Sequence, residues 1–220
     1  MATNSLGKWP PSAGLSTVNV PRKDAVLPVF ASIRIQAPAH RVFDALLRVS
    51  DYEKWNTFCP RVTIQTQPHA EGEQGERERQ SSSADTLRLA TSFTFYVVMN
   101  AAKPDSTTET GLKVSDVSTP DHPSTYIPQA TLDSDGSYTA DLQRVYRVAW
   151  KTEGGFVARR LRSERFHEVI AVGGDECEVR TWEVMGGVLA HTVKWMYKQT
   201  LMEKFRLWCS DLKKYCEQES

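Results

Sequence analysis

The sequence predicts an α+β fold in which a curved antiparallel sheet of about seven strands wraps around one long C-terminal helix, with two short helices after the first strand. Three observations carry that expectation. Segments that alternate apolar and polar residues recur from Val29 to Met185, the pattern of half-buried strands. The apolar spacing lengthens to three and four after Gly186-Gly187 and keeps that period almost to the end of the chain. A single helical interruption follows the first strand, at Ala37-Pro38. A sheet with one apolar face and a helix with one apolar stripe must bury them against each other, which gives one domain.

Residues 1–27 hold Pro10, Pro11, Pro21 and several Ser, Thr and Asn without periodicity, which reads as a flexible arm or a strap across the surface. The domain then runs over 28–217, leaving 218–220 as a tail. Val29, Ala31, Ile33 and Ile35 share one face of a first strand, and Pro38 stands where a helix starts, with Val42, Phe43, Leu46 and Leu47 at helical spacing. A short helix or turn, Ser50 to Phe58, follows. Arg61 to Thr66 reads as a strand, Gln67 to Asp85 as a polar connection and Leu87 to Met99 as a long strand with Phe93, Phe95 and Met99 on its core side. Leu112 to Ser118, Leu142 to Trp150, Arg162 to Val172 and Glu176 to Met185 supply the remaining strands, the last two joined by a tight turn at Gly173-Gly174-Asp175. Thr119 to Asp141, with three prolines, is a long loop.

Composition excludes several classes. The 220 residues carry 27 Lys and Arg against 27 Asp and Glu, so the neutral chain has no general attraction to phosphate or anionic lipid, and no basic aromatic stripe points to nucleic acid. The longest apolar stretch, Val97 to Ala102, falls far short of the roughly 20 residues that span a bilayer, and the start of the chain has no targeting pattern, so a soluble cytoplasmic protein is expected. The four cysteines form no CxxC and the five histidines no HExxH, so neither a metal nor a disulfide framework is expected. Glycine pairs lack a phosphate-binding context, and the charge run Glu71 to Arg79 alternates in sign as a solvated loop does.

With these elements in place the chain resembles the SRPBCC superfamily, the START-like helix-grip proteins, in its polyketide cyclase and coenzyme Q-binding branch. The resemblance rests on Ile33-Arg34-Ile35-Gln36-Ala37-Pro38 followed by Val42-Phe43-Asp44-Ala45-Leu46-Leu47, on Asp51-Tyr52-Glu53-Lys54-Trp55-Asn56 leading into a strand, and on Trp182-Glu183-Val184-Met185-Gly186-Gly187 opening the last helix. It covers Val29 to Glu217. Thr57 stands where the family usually has proline after Trp-Asn, and 119–141 is longer than a minimal member needs. The resemblance implies the START/Bet v 1-like fold with a hydrophobic cavity between sheet and helix, and it fixes no reaction, because the family holds both enzymes and carriers.

Strand parity selects candidate residues. In the strand from Leu142 the mostly apolar face holds Arg144, Tyr146, Val148 and Trp150; in the last strand Cys177, Val179, Thr181, Glu183 and Met185 share the inner face. The middle strand admits two registers. One points Phe166, Glu168 and Ile170 inward, the other Arg165, His167 and Val169; the first is preferred as the more apolar. The expected acid–base set is Glu183, Glu168 and Arg144, with His167 as a proton shuttle in the other register. Set against this is a purely structural Glu–Arg pair. Trp55, Phe93, Phe95, Met99, Tyr146, Trp150, Met185, Val193, Met196 and Tyr197 are expected to line the ligand, with core packing as the competing role. The function expected is a cofactor-independent cyclase or dehydratase of the lyase type, acting on a polyketide-like or aromatic metabolite of secondary metabolism. The alternative is a non-catalytic lipid or ubiquinone carrier, and a weaker third reading is a ligand sensor. The only partner expected is the small hydrophobic molecule, bound by a monomer or homodimer.

Overall fold

The computed structural model of the protein describes residues 8–68, 85–154 and 160–218. The charge run Glu71 to Arg79, Gly155 and residues 219–220 lie outside the described residues. Strand β1 (Leu27–Ile35) is followed by helices α1 (Ala39–Leu47) and α2 (Tyr52–Trp55), then β2 (Arg61–Thr66), β3 (Ser92–Val97) and β4 (Thr108–Ser118). Helix α3 (Gln129–Ser134) precedes β5 (Val145–Thr152), β6 (Arg162–Gly173), β7 (Glu176–Gly186) and the long helix α4 (Val188–Gln218). The strands form one antiparallel sheet in the order β1-β7-β6-β5-β4-β3-β2. The first strand thus pairs with the last, and α4 packs back along β1 and the inner face of the sheet.

The helix begins where the strand must turn sharply. Gly187 has φ +92, and a Cβ there would stand 2.6 Å from the Arg160 carbonyl oxygen, so glycine is required for both conformation and space. On the inner face, Val29, Val148, Trp150, Val169 and Val179 pack with α1, α2 and the buried stripe Leu201, Phe205, Trp208 and Leu212 of α4.

Both faces of the sheet are largely buried along β5, β6 and β7. Residues 8–20 and the 119–141 segment lie over the outer face, where Leu15, Val20, Ile127, Leu132 and Tyr138 cover Ala149, Phe166, Trp182 and Val184. Trp182 is fully buried, stacks on Phe166 at 5.1 Å and donates its indole N–H to the Ser16 carbonyl at 3.0 Å. Each such large side chain contributes roughly 1.5–3 kcal/mol of burial. Residues 8–20 therefore lie as a strap across the sheet, one of the two arrangements expected for the arm, and the long loop, which carries α3, is its companion layer.

Two further expectations are corrected. The strand expected from Leu87 starts only at Ser92, because Ala90 has φ +66 and the Thr91 hydroxyl accepts the Arg88 N–H, making a turn that leaves Leu89 56% exposed. In β6 the preferred register is reversed. Ala171 pairs with Cys177 and Gly173 with Glu176, so Val172 is a bulge, and the extra residue turns Arg165, His167 and Val169 inward and Phe166, Glu168 and Ile170 outward. Apolarity could not choose between these faces, since every residue from Ser163 to Ile170 is buried.

Candidate functional site

A cavity of about 340 Å³ remains between the inner face and the N-terminal half of α4. β3 contributes Phe95 and Val97, with Met99 just beyond its end; Trp150 comes from β5, Ser163 and Arg165 from β6, Glu183 and Met185 from β7, and Val193, Tyr197 and Leu201 from α4. The alternation of extended strands places these side chains at every second residue on one face. Thr108 and Tyr197 are exposed, which puts the rim between the start of β4 and the first turns of α4. Phe95 and Trp150 stand edge to face at 5.5 Å, so aromatic rings form one wall without filling the space.

Besides Thr108, Thr110, Thr152 and Tyr197, the polar side chains in this largely apolar wall lie next to one another. Arg165 and Glu183 are cross-strand partners, as are Ser163 and Met185. The Ser163 hydroxyl donates to Glu183 Oε1. Burial pushes the Glu183 carboxyl above the usual 4.5, against the opposing pull of that hydroxyl and of Arg165. Arg165 is 5% exposed, donates from Nε to Thr181 Oγ1 at 3.2 Å, and lays its guanidinium over the Phe205 ring at 4.0 Å. Its Nη2 has no hydrogen-bond partner. Burial pushes the wall thiol Cys59 up to about 12, so it stands as a neutral thiol and not as a nucleophile.

His167 is enclosed behind the cavity. Its ring lies 4.4 Å from that of Trp150 and 4.7 Å from that of Trp208, it is fully buried, and neither ring nitrogen has a partner. Burial first, then the Arg165 charge, hold its pKa well below 6.5, so the ring is neutral. No proton route leads from it to the cavity through these partners.

Of the residues expected in the site, Glu183, Phe95, Met99, Trp150, Met185, Val193 and Tyr197 lie on the cavity wall. Others do not. Glu168 lies on the outer face, where Arg147 forks onto its Oε1 at 2.9 and 2.7 Å and Thr139 donates from its backbone N–H and hydroxyl. Arg144 precedes β5 and donates to the Ala171 carbonyl at 3.0 and 2.7 Å, closing the end of the β5–β6 pair. Phe93 sits behind Phe95; Tyr146 packs on Phe43; Trp55 belongs to an aromatic cluster with Tyr52, Trp208 and Tyr215; Met196 is 52% exposed on the outside of α4. Sequence reasoning placed Arg165 only in its second register and missed Ser163, whose signal was its position two residues before Arg165 on the same face.

No protein-family model matches the sequence. The chain is 29% identical over 215 residues to the oxopyrrolidines biosynthesis cluster protein O of Penicillium oxalicum, a match that spans 92% of this chain and 93% of that protein. Among solved structures it is similar to a START superfamily protein from Mycobacterium smegmatis, with TM-score 0.55, 11% identity and coverage of 88% of this chain and 99% of that one. It is similar also to the Zhui aromatase/cyclase from Streptomyces sp. R1128, with TM-score 0.55, 8% identity and coverage of 87% and 94%. At these identities the likeness is one of fold: the chain has the START/Bet v 1-like helix-grip fold that the sequence resemblance implied. Among the described residues no helix is long and apolar enough to cross a membrane.

Proposed function

We propose that the protein encloses a small, largely apolar biosynthetic intermediate and promotes its cyclisation or dehydration, with Glu183 moving the proton. The observation that carries this reading is a carboxylate with a raised pKa, the one carboxylate among the described lining residues, set in the wall of a largely apolar hollow. A carboxyl poised toward neutral pH is a better general base than an ordinary one. In a cyclisation it would take a proton from the carbon between two carbonyls. The resulting carbanion would form the ring bond to another carbonyl carbon, and the proton would return from Glu183 to the oxygen freed there. In a dehydration the same proton would go to the departing hydroxyl, which leaves as water. Folding a flexible chain into a reactive conformer supplies several kcal/mol of the barrier by itself, so few polar groups are needed. The relative's place in an oxopyrrolidines biosynthesis cluster and the fold shared with an aromatase/cyclase support the reading.

The test is an in-place Glu183→Gln exchange in the organism of origin, with metabolite profiling. The expected result is loss of one cyclic or dehydrated product and accumulation of its open or hydrated precursor while the protein level holds. An unchanged profile with folded protein would refute the acid–base assignment. A second reading, a non-catalytic carrier, is favoured by the apolar remainder of the wall. Native mass spectrometry of the purified protein supports it if a lipid co-purifies and the Glu183→Gln variant retains that lipid.

A further inference from the structure

The cavity has a charge on its wall that no ion pair among the described residues answers. Arg165 keeps its charge at every physiological pH and is almost wholly buried, yet among the described residues it makes no ion pair and its Nη2 has no partner. The contrast with the other buried arginines is direct. Arg147 forks onto Glu168 at 2.7 Å, and Arg180 pairs with Glu178 at 2.7 Å. A buried charge is tolerated when it is paired and hydrogen-bonded, and is costly otherwise. Cation–π contact with Phe205 and Trp208, at 4.0 and 5.0 Å, offsets part of that cost and fixes the guanidinium plane. It leaves the guanidinium, part of a residue that lines the cavity, without a carboxylate partner among the described residues.

Glu183 does not supply the missing partner. It faces Arg165 from the neighbouring strand, but no oxygen of it comes within 4 Å of the guanidinium; its Oε1 is engaged by Ser163 instead. A second cation, Lys204, is also buried and lies 5.9 Å from the ring of Phe58, another wall residue. The end of the cavity near Arg165 thus carries a buried cation with no carboxylate oxygen within 4 Å among the described residues, a setting in which a charge-assisted hydrogen bond to an oxyanion is strong.

We propose that the molecule held here carries one oxyanion, a carboxylate or the enolate of a 1,3-dicarbonyl, on an otherwise apolar body, and that the Arg165 guanidinium is its anchor. The inference rests on the reading of the cavity as the ligand site. A hollow of about 340 Å³ holds on the order of a dozen non-hydrogen atoms at roughly 30 Å³ for each water-sized volume, so the body is compact. An oxyanion at the guanidinium stands beside Glu183, its cross-strand neighbour, and would hold an acidic 1,3-dicarbonyl with its reactive carbon near that carboxyl.

Calorimetric titration of the full chain with paired probes tests this. Octanoate is compared with 1-octanol, and the cyclic 1,3-diketone dimedone with its O-methyl enol ether. In the wild-type protein at least one acidic member should bind about tenfold or more tighter than its neutral pair, the gain of a charge-assisted over a neutral hydrogen bond. Preference for octanoate alone names a carboxylate, and preference for dimedone alone an enolate. Arg165→Met should erase the preference and leave neutral-probe affinity within about twofold, and Arg165→Lys should keep part of it. Equal binding of acidic and neutral members to the wild type overturns the anchor while leaving the cavity reading intact. Failure of every probe to bind at millimolar concentration overturns both. The wild-type comparison decides the matter even if Arg165→Met does not fold.

Discussion

His167→Phe should flatten the acid limb of the protein's stability profile. In the native protein the imidazole is fully buried between Trp150 and Trp208, bonded through neither nitrogen, and held neutral well below pH 6.5 by burial and by Arg165. In the unfolded chain it titrates near 6.5. Below that pH the unfolded state binds a proton that the native state does not, so stability falls as pH falls, by up to about 1.4 kcal/mol per pH unit, until the native imidazole also protonates. Integrated between pH 7.5 and 5.5 this single group removes about 1.4 kcal/mol. Phenylalanine keeps an aromatic ring between the two tryptophans and removes the titration. It also removes two buried polar atoms without partners, each worth roughly 1–3 kcal/mol when orphaned, against an overpacking cost of similar size. That offset shifts the whole curve and leaves its slope alone. Urea unfolding of both proteins at the two pH values isolates the effect, since every other titrating group is common to them. The expected double difference is about 1.4 kcal/mol, with the wild type losing more in acid. Parallel profiles would refute the reasoning and show the imidazole to be protonated or solvated in the native state.

Three other outcomes follow from the same geometry. Glu183, whose native pKa is raised, carries the opposite sign: above pH 4.5 the unfolded carboxyl ionises first, so the wild type loses stability with rising pH, and Glu183→Gln should gain on it in thermal melts between pH 4.5 and neutrality. Gly187→Ala should destabilise by about 2 kcal/mol or more in urea unfolding, because the new methyl meets the Arg160 carbonyl at 2.6 Å and φ is +92. Arg147→Met should cost about 3–5 kcal/mol by leaving Glu168 buried without its cation, and a double-mutant cycle with Glu168→Gln should show the two losses to be strongly non-additive.

Much of the architecture was legible because alternation with a period of two survives wherever a strand is long. Val29, Ala31 and Ile35 in β1, Phe95 in β3, Trp150 in β5 and Glu183 in β7 all face the side their parity assigns. Parity failed where a single residue broke it. The bulge at Val172 lies beside a glycine turn that looks like a plain hairpin, and it exchanged Glu168 for Arg165 in the cavity wall. Nor could apolar content correct the error, since the argument that the greasier side points inward assumes a solvated outer face. Here the outer face is covered by the strap and the 119–141 layer. Leu15, Val20, Ile127, Leu132 and Tyr138, apolar residues scattered through two otherwise polar stretches, were the signal that something lay beneath them.

This second layer bears on why a hollow and an unpaired cation can persist on the other side. A domain of this size is stable by a small margin, and a cavity or an unanswered charge in its only core would consume much of it. In this protein the outer face holds a separate cluster around Trp182 and Phe166, and two carboxylates there, Glu164 and Glu168, are each met by three or more donors. Cohesion on that side offsets what the inner face gives up at Arg165, His167 and the empty volume beside them. The division has a consequence for engineering: substitutions that weaken the strap should be tolerated less well in this protein than in a helix-grip domain with a solvated outer face, and filling the cavity should rescue them by restoring the margin that the ligand site had used.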